Sequence, residues 1–154
     1  MKNLVLMCGL LMVLSASAQD KKSKTQIEPP VEVTFAFEKQ FPNTQAKWSK
    51  TYRGEMLSEL NFDAYFTLKN IPMTATYTEA GVFKALACEI SPGELPQPAL
   101  DYLKKNYPNL LVQKIIKVTN DVSQTHYEVG LLVQGQLTDA IFNAQGDFLN
   151  FAGK

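Results

Sequence analysis

The sequence predicts an α+β protein made by tandem duplication of one helix followed by a four-stranded antiparallel sheet. Three observations predict it. A segment recurs at a nearly constant offset, each copy opens with apolar residues at helical spacing, and each continues as β-branched and aromatic runs broken by turn residues.

The duplication is read directly from the 154 residues. Phe37-Glu38-Lys39-Gln40-Phe41-Pro42-Asn43 matches Leu103-Lys104-Lys105-Asn106-Tyr107-Pro108-Asn109, an offset of 103 − 37 = 66. Further along, Thr78-Glu79-Ala80-Gly81-Val82-Phe83 matches Asn143-Ala144-Gln145-Gly146-Asp147-Phe148, an offset of 146 − 81 = 65. One deleted loop residue reconciles the two. The expected organisation is a signal peptide at 1–18, a flexible polar segment at 19–29, a first α-β4 repeat at 30–90 and a second at 91–154, the two repeats forming one compact unit.

Within each copy the helix comes first. Val33, Phe37 and Phe41 recur every four residues, as do Ala99, Leu103 and Tyr107, which lines one face of a helix. Pro30 and Pro96 stand where a helix can begin, because proline has no N–H to lose in the first turn. Pro42 and Pro108 end it by disfavouring helical geometry in the residue before them. The strands expected to follow are 46–52, 62–69, 73–78 and 82–90, then 112–119, 125–133, 136–142 and 147–151. Phe62, Ala64, Phe66 and Leu68 alternate with Asp63, Tyr65, Thr67 and Lys69, the pattern of a sheet buried on one face. One amphipathic helix would cover that face in each copy and leave the other partly open.

The N-terminus carries a compartment signal. Lys2 precedes the apolar run Leu4 to Leu14, and Ala16 and Ala18 supply small residues before Gln19, the pattern of a cleavable secretory peptide. The expected location is the periplasm or the exterior, with no membrane span once the peptide is removed. The whole chain has 15 basic and 15 acidic residues, and loss of Lys2 leaves 14 against 15, a net charge of −1. So neutral a chain, without a basic stripe, argues against nucleic acid as a partner. Of its two cysteines, Cys8 would leave with the peptide, so Cys88 has no internal disulfide partner.

Pro30 through Phe41-Pro42-Asn43, with Lys47-Trp48, and Leu95-Pro96 through Tyr107-Pro108-Asn109, resemble the exported PepSY-like, β-lactamase-inhibitor-like proteins of Bacteroidota. Asn143-Ala144-Gln145-Gly146 is similar to the family's acidic-Ala-x-Gly turn, with Asn for the acid. The resemblance spans about Pro30 to Phe151. It implies a tandem helix-plus-four-strand fold like that of the β-lactamase inhibitor protein, and it carries over no catalytic or binding residue. The chain departs from the pattern in a long first hairpin connection, Arg53 to Asn61, and in Cys88.

Residues able to do chemistry are sparse. A nucleophilic enzyme needs a nucleophile, a base and an orienting group; His126 and Cys88 fall in different copies and outside any nucleophile motif. They are too few to hold zinc, no calcium loop or phosphate-binding loop is present, and no cofactor is expected. Asp63, Glu128 and Asp139 are the carboxylates that a sheet would bring nearest one another. The sequence therefore points away from an enzyme and towards an exported binding module that engages a protein or peptide of the cell envelope, with hydrolase inhibition as one form. The alternative is a small-ligand carrier with an apolar pocket between helix and sheet. Tyr65, Thr67, Lys69 and Glu128 are expected on the open sheet face, and Tyr52 and Arg53 at the long hairpin connection; tyrosine suits such surfaces because it joins a broad ring to a polar tip. The oligomeric state is not encoded in any motif.

Overall fold

The computed structural model describes residues 27–109, 112–133 and 135–152. The expected signal peptide at 1–18 and the 19–26 part of the polar segment lie outside the described residues. The chain runs α1 (Val31–Gln40), β1 (Lys47–Arg53), β2 (Glu59–Leu68), β3 (Ile71–Thr78), β4 (Phe83–Glu89), α2 (Gln97–Asn106), β5 (Val112–Asn120), β6 (Thr125–Val133), β7 (Gln136–Asn143) and β8 (Phe148–Ala152). Short 3-10 turns at Glu55–Leu57 and Pro92–Glu94 interrupt the connections.

The expected tandem duplication of a helix followed by a four-stranded sheet is not what forms. The protein is mostly one curled antiparallel sheet of eight strands in sequential order, with two ten-residue helices. The reason lies at the joint. A lone four-stranded sheet would leave the outer N–H and C=O groups of β4 and β5 unpaired. The chain between them returns β5 antiparallel to β4, from Ala85 opposite Asn120 to Glu89 opposite Ile116, and Ile90 N–H extends the ladder to the Ile115 carbonyl at 3.0 Å.

Both helices lie on one side of this sheet. Pro30 opens α1, its carbonyl accepting from Val33 and Thr34 N–H at 3.1 Å, and the non-helical Phe41 (φ −128, ψ 69) before Pro42 closes it. Val33 and Phe37 are buried against Phe62, Ala64, Phe66 and Tyr77. The Phe37 ring meets Phe66 at 5.2 Å, Phe41 at 5.3 Å and Trp48 at 5.4 Å, with edge-on geometry to Phe66 and Trp48, the arrangement that ring quadrupoles favour. Under α2, Ala99 and Leu103 pack on Tyr127, Val129, Ala140 and Phe142. Tyr102 stacks on Phe148 at 4.5 Å, which ties the last strand to the helix.

Two glycines set the helix starts. Gly81 (φ +76) lies so close to α1 that a Cβ there would stand 2.5 Å from the Glu32 carbonyl oxygen, and at Gly146 (φ +90) it would stand 2.7 Å from Pro96 Cβ at the head of α2. Gly135 also has positive φ (+78), yet nothing lies within 4 Å of its Cβ position.

Three measurements test this packing. Phe37→Ala is expected to cost about 3–5 kcal/mol in urea unfolding, the range for removing a buried aromatic ring. Gly135→Ala should cost only the left-handed backbone penalty, about 1–2 kcal/mol, and Gly81→Ala clearly more; equal costs would contradict the close approach to α1. Burial pushes the Tyr77 hydroxyl up to about 12, against about 10 for an unfolded tyrosine. A raised pKa means the native state holds this proton longer, so its contribution is complete below pH ~10 and is lost as pH rises to about 12. A tyrosinate absorbance titration should show one late step that Tyr77→Phe removes.

Candidate functional site

Strand alternation and register decide what the uncovered face presents. On β2, Phe62, Ala64 and Phe66 turn under α1, so Asn61, Asp63, Tyr65 and Thr67 turn to the open face. Asn61, Asp63 and Thr76 are nevertheless almost inaccessible, at 2%, 2% and 6% exposure, although no helix covers them.

Asp63 lies between Ser49 of β1 and Thr76 of β3. Its Oδ1 accepts from the Thr76 hydroxyl at 2.6 Å, and its Oδ2 accepts from the Thr51 hydroxyl at 3.1 Å and faces Arg53 Nη2 at 3.5 Å. A carboxylate taken from water needs such partners. The arrangement fixes one edge of the Arg53 guanidinium and leaves the rest of that exposed side chain to solvent. The far half of the face is more apolar: Ile116 and Ile141 flank Glu128, and Leu132 opposes Leu137 beyond them.

The residues singled out from the sequence do not form one cluster. Tyr65, 46% exposed, and Thr67 stand together on β2, with the Ser49 hydroxyl donating to Tyr65 Oη at 3.3 Å. Arg53 shares their face at the end of β1. Glu128 shares it too, but on β6, four strands away or roughly 19 Å along the sheet. Tyr52 turns to the helix side, opposite Leu60. Lys69 is not on a strand; with Asn70 it forms the left-handed β2–β3 turn (φ 50 and 66). Beside Tyr52 and Arg53, the long connection holds Met56 and Leu57 at φ 55 each, with Met56 99% exposed.

Cys88 and His126 are separated by the sheet itself. Cys88 opposes Met73 and Lys117 on the helix side, while His126 opposes Val118 and Asn143 on the open side. Burial pushes the Cys88 thiol up, with Glu94 adding to the rise and Lys117 opposing it, which is unfavourable to a thiolate nucleophile. Asp63 is likewise remote from Glu128 and Asp139, which are diagonal neighbours on β6 and β7. Among the described residues no group of three or more His, Cys, Asp or Glu could hold a metal, and no helix is long and apolar enough to cross a membrane.

The helix–sheet interfaces, where an apolar ligand pocket was the alternative expectation, are occupied by the aromatic packing described above. A half-open cavity of about 520 Å³ lies instead at one end of the sheet, between the β5–β6 and β7–β8 turns. The first turn contributes Asn120, Ser123, Gln124 and His126; the second contributes Asn143, Gln145 and Leu149. The two turns are built alike. Asn120 Oδ1 accepts from Val122 and Gln124 N–H at 3.1 and 2.8 Å, and Asn143 Oδ1 accepts from Gln145 and Asp147 N–H at 3.0 and 2.9 Å. Sequence reasoning took these segments only as turns. Their Asn-led polar clusters were the available signal, but only the pairing of β6 with β7 brings them side by side.

No family model and no curated protein matches the chain. Solved structures do. A protein of Bacteroides eggerthii described as periplasmic superimposes with a TM-score of 0.70 at 14% identity, covering 82% of this chain and 89% of that one. A DUF2874 family protein from Bacteroides ovatus gives 0.68 at 16% identity, covering 82% and 88%. A BLIP-like protein from Bacteroides fragilis gives 0.62 at 19% identity, covering 82% and 86%. The chain thus has the fold of BLIP-like proteins. These likenesses do not confirm the PepSY-like part of the resemblance.

The Asp63 network predicts unequal costs. Asp63→Ala leaves the buried Thr76 hydroxyl without its acceptor and should destabilise by about 1–3 kcal/mol. Arg53→Ala removes an exposed partner and should cost under about 1 kcal/mol. Chemical denaturation of the two variants checks the order.

Proposed function

We propose that this chain is an exported, non-enzymatic binding protein that engages a protein or peptide of the cell envelope on the open face of its sheet. One observation carries the reading: both helices and both apolar clusters lie on one side of eight strands, leaving the other side uncovered. That side combines Tyr65, Thr67 and a fixed Arg53 with an apolar half around Glu128. Tyrosine and arginine are enriched in binding hot spots. Tyr52 and Lys69 lie off this face and would contribute only at its margins.

Three further observations support the proposal. The N-terminal pattern suits export, and one structural neighbour is described as periplasmic. Cys88 and His126 stand on opposite faces, where they cannot act as a dyad. The fold is shared with a BLIP-like protein, so hydrolase inhibition is one form the binding would take.

The test compares variants in affinity capture from cell-envelope extract, followed by titration against the protein recovered. Tyr65→Asp and Arg53→Glu are expected to weaken binding at least tenfold with an unchanged circular dichroism spectrum. Phe35→Asp, on the exposed outer surface of α1, should leave it intact. Equal binding by all three variants, or loss only with Phe35→Asp, would sink the proposal.

A further inference from the structure

We infer that the cavity between the β5–β6 and β7–β8 turns is a binding site for an uncharged saccharide. It goes beyond the open-face reading and stands or falls separately from it. The cavity's volume, about 520 Å³, falls within the roughly 300–1,000 Å³ of small-ligand sites.

The chemistry of the lining selects the ligand. No Asp, Glu, Lys or Arg lines the cavity; its polar groups are amides, hydroxyls and one imidazole. Two carboxylates stand behind the lining, Asp147 accepting from the Asn143 amide at 3.0 Å and Glu128 paired with His126 Nε2 at 3.2 Å. An anion entering the cavity would meet their charge. A cation would find neither carboxylate in the lining itself.

Donors and acceptors are offered together. The Gln124 carbonyl accepts from Asn120 at 3.1 Å, which turns its NH₂ group into a free donor. His126 pairs with Glu128 through Nε2, which leaves its Nδ1 for a ligand. Among the described residues the Ser123 hydroxyl and the Gln145 amide have no hydrogen-bond partner, and each can do both. Sugar hydroxyls donate and accept at once, so they match such a lining. A peptide main chain matches it less well, because the Asn120 and Asn143 side chains already consume four turn N–H groups. Leu149, 55% exposed, and Ala144 supply apolar surface for the C–H face of a ring.

The experiment is a ¹⁵N–¹H NMR titration of the mature protein with maltose, cellobiose and N,N′-diacetylchitobiose. Glucuronic acid is the charged control and Ala-Ala-Ala amide the peptide control. The expected result is saturable binding of at least one neutral disaccharide, with shifts at residues 120–126 and 143–149, weaker binding of glucuronic acid, and at least a tenfold loss in Gln124→Ala and in Gln145→Ala. Both glutamines belong to hairpin turns, and unchanged melting temperatures would show that the variants fold. The inference is overturned if no sugar shifts these residues at tens of millimolar, if the tripeptide binds there and the sugars do not, or if the shifts fall on the Tyr65–Thr67 face instead.

Discussion

Everything else in this structure depends on the ladder between β4 and β5. It joins the strands under α1 to those under α2, and it turns two potential edges into the centre of one sheet. Unpaired strand edges are a liability in any small domain, because they invite pairing with other chains. Pairing them leaves only β1 and β8 at the margins. β1 carries Lys47, Lys50 and Arg53, charges that discourage further pairing, and β8 is short and shifted in register at Leu149.

A continuous sheet with both helices on one side has two unlike faces. Under the helices the residues are large and aromatic, and the hydroxyl of the buried Tyr77 is tied to Gln40 at 2.9 Å. On the other face the central residues are small or hydroxylated, with Thr76, Ala85 and Ala87 along β3 and β4. Asp63 can remain there at 2% exposure only because neighbouring strands supply two hydroxyls and a guanidinium. The buried carboxylate and the presentation of Arg53 are therefore parts of one arrangement.

Much of the local structure was legible from pattern alone. Helical spacing at Val33 and Phe37, and at Ala99 and Leu103, marked the four helix residues that are buried. Alternation through β2 sorted Phe62, Ala64 and Phe66 from Asp63, Tyr65 and Thr67. Other readings failed for physical reasons. Lys69 continued the alternation on paper, yet the β2–β3 turn needs left-handed residues and takes it out of the strand. Tyr52 looked like part of the Arg53 surface, but adjacent strand residues face opposite sides. The Asn-led turns at the hairpin ends were visible one by one, but nothing local placed them side by side to form the cavity.

The sequence by itself determined the periodicity of each element, the breaks between elements and the poverty of catalytic residues, since these are properties of neighbours along the chain. It also carried the resemblance that pointed to a BLIP-like fold. Tertiary pairing alone sets eight strands into one sheet, parts Cys88 from His126 across it, and brings two polar turns to the sides of an open cavity. Those outcomes depend on which distant backbone groups satisfy one another, and hydrogen-bond pairing between strands leaves no trace in local spacing.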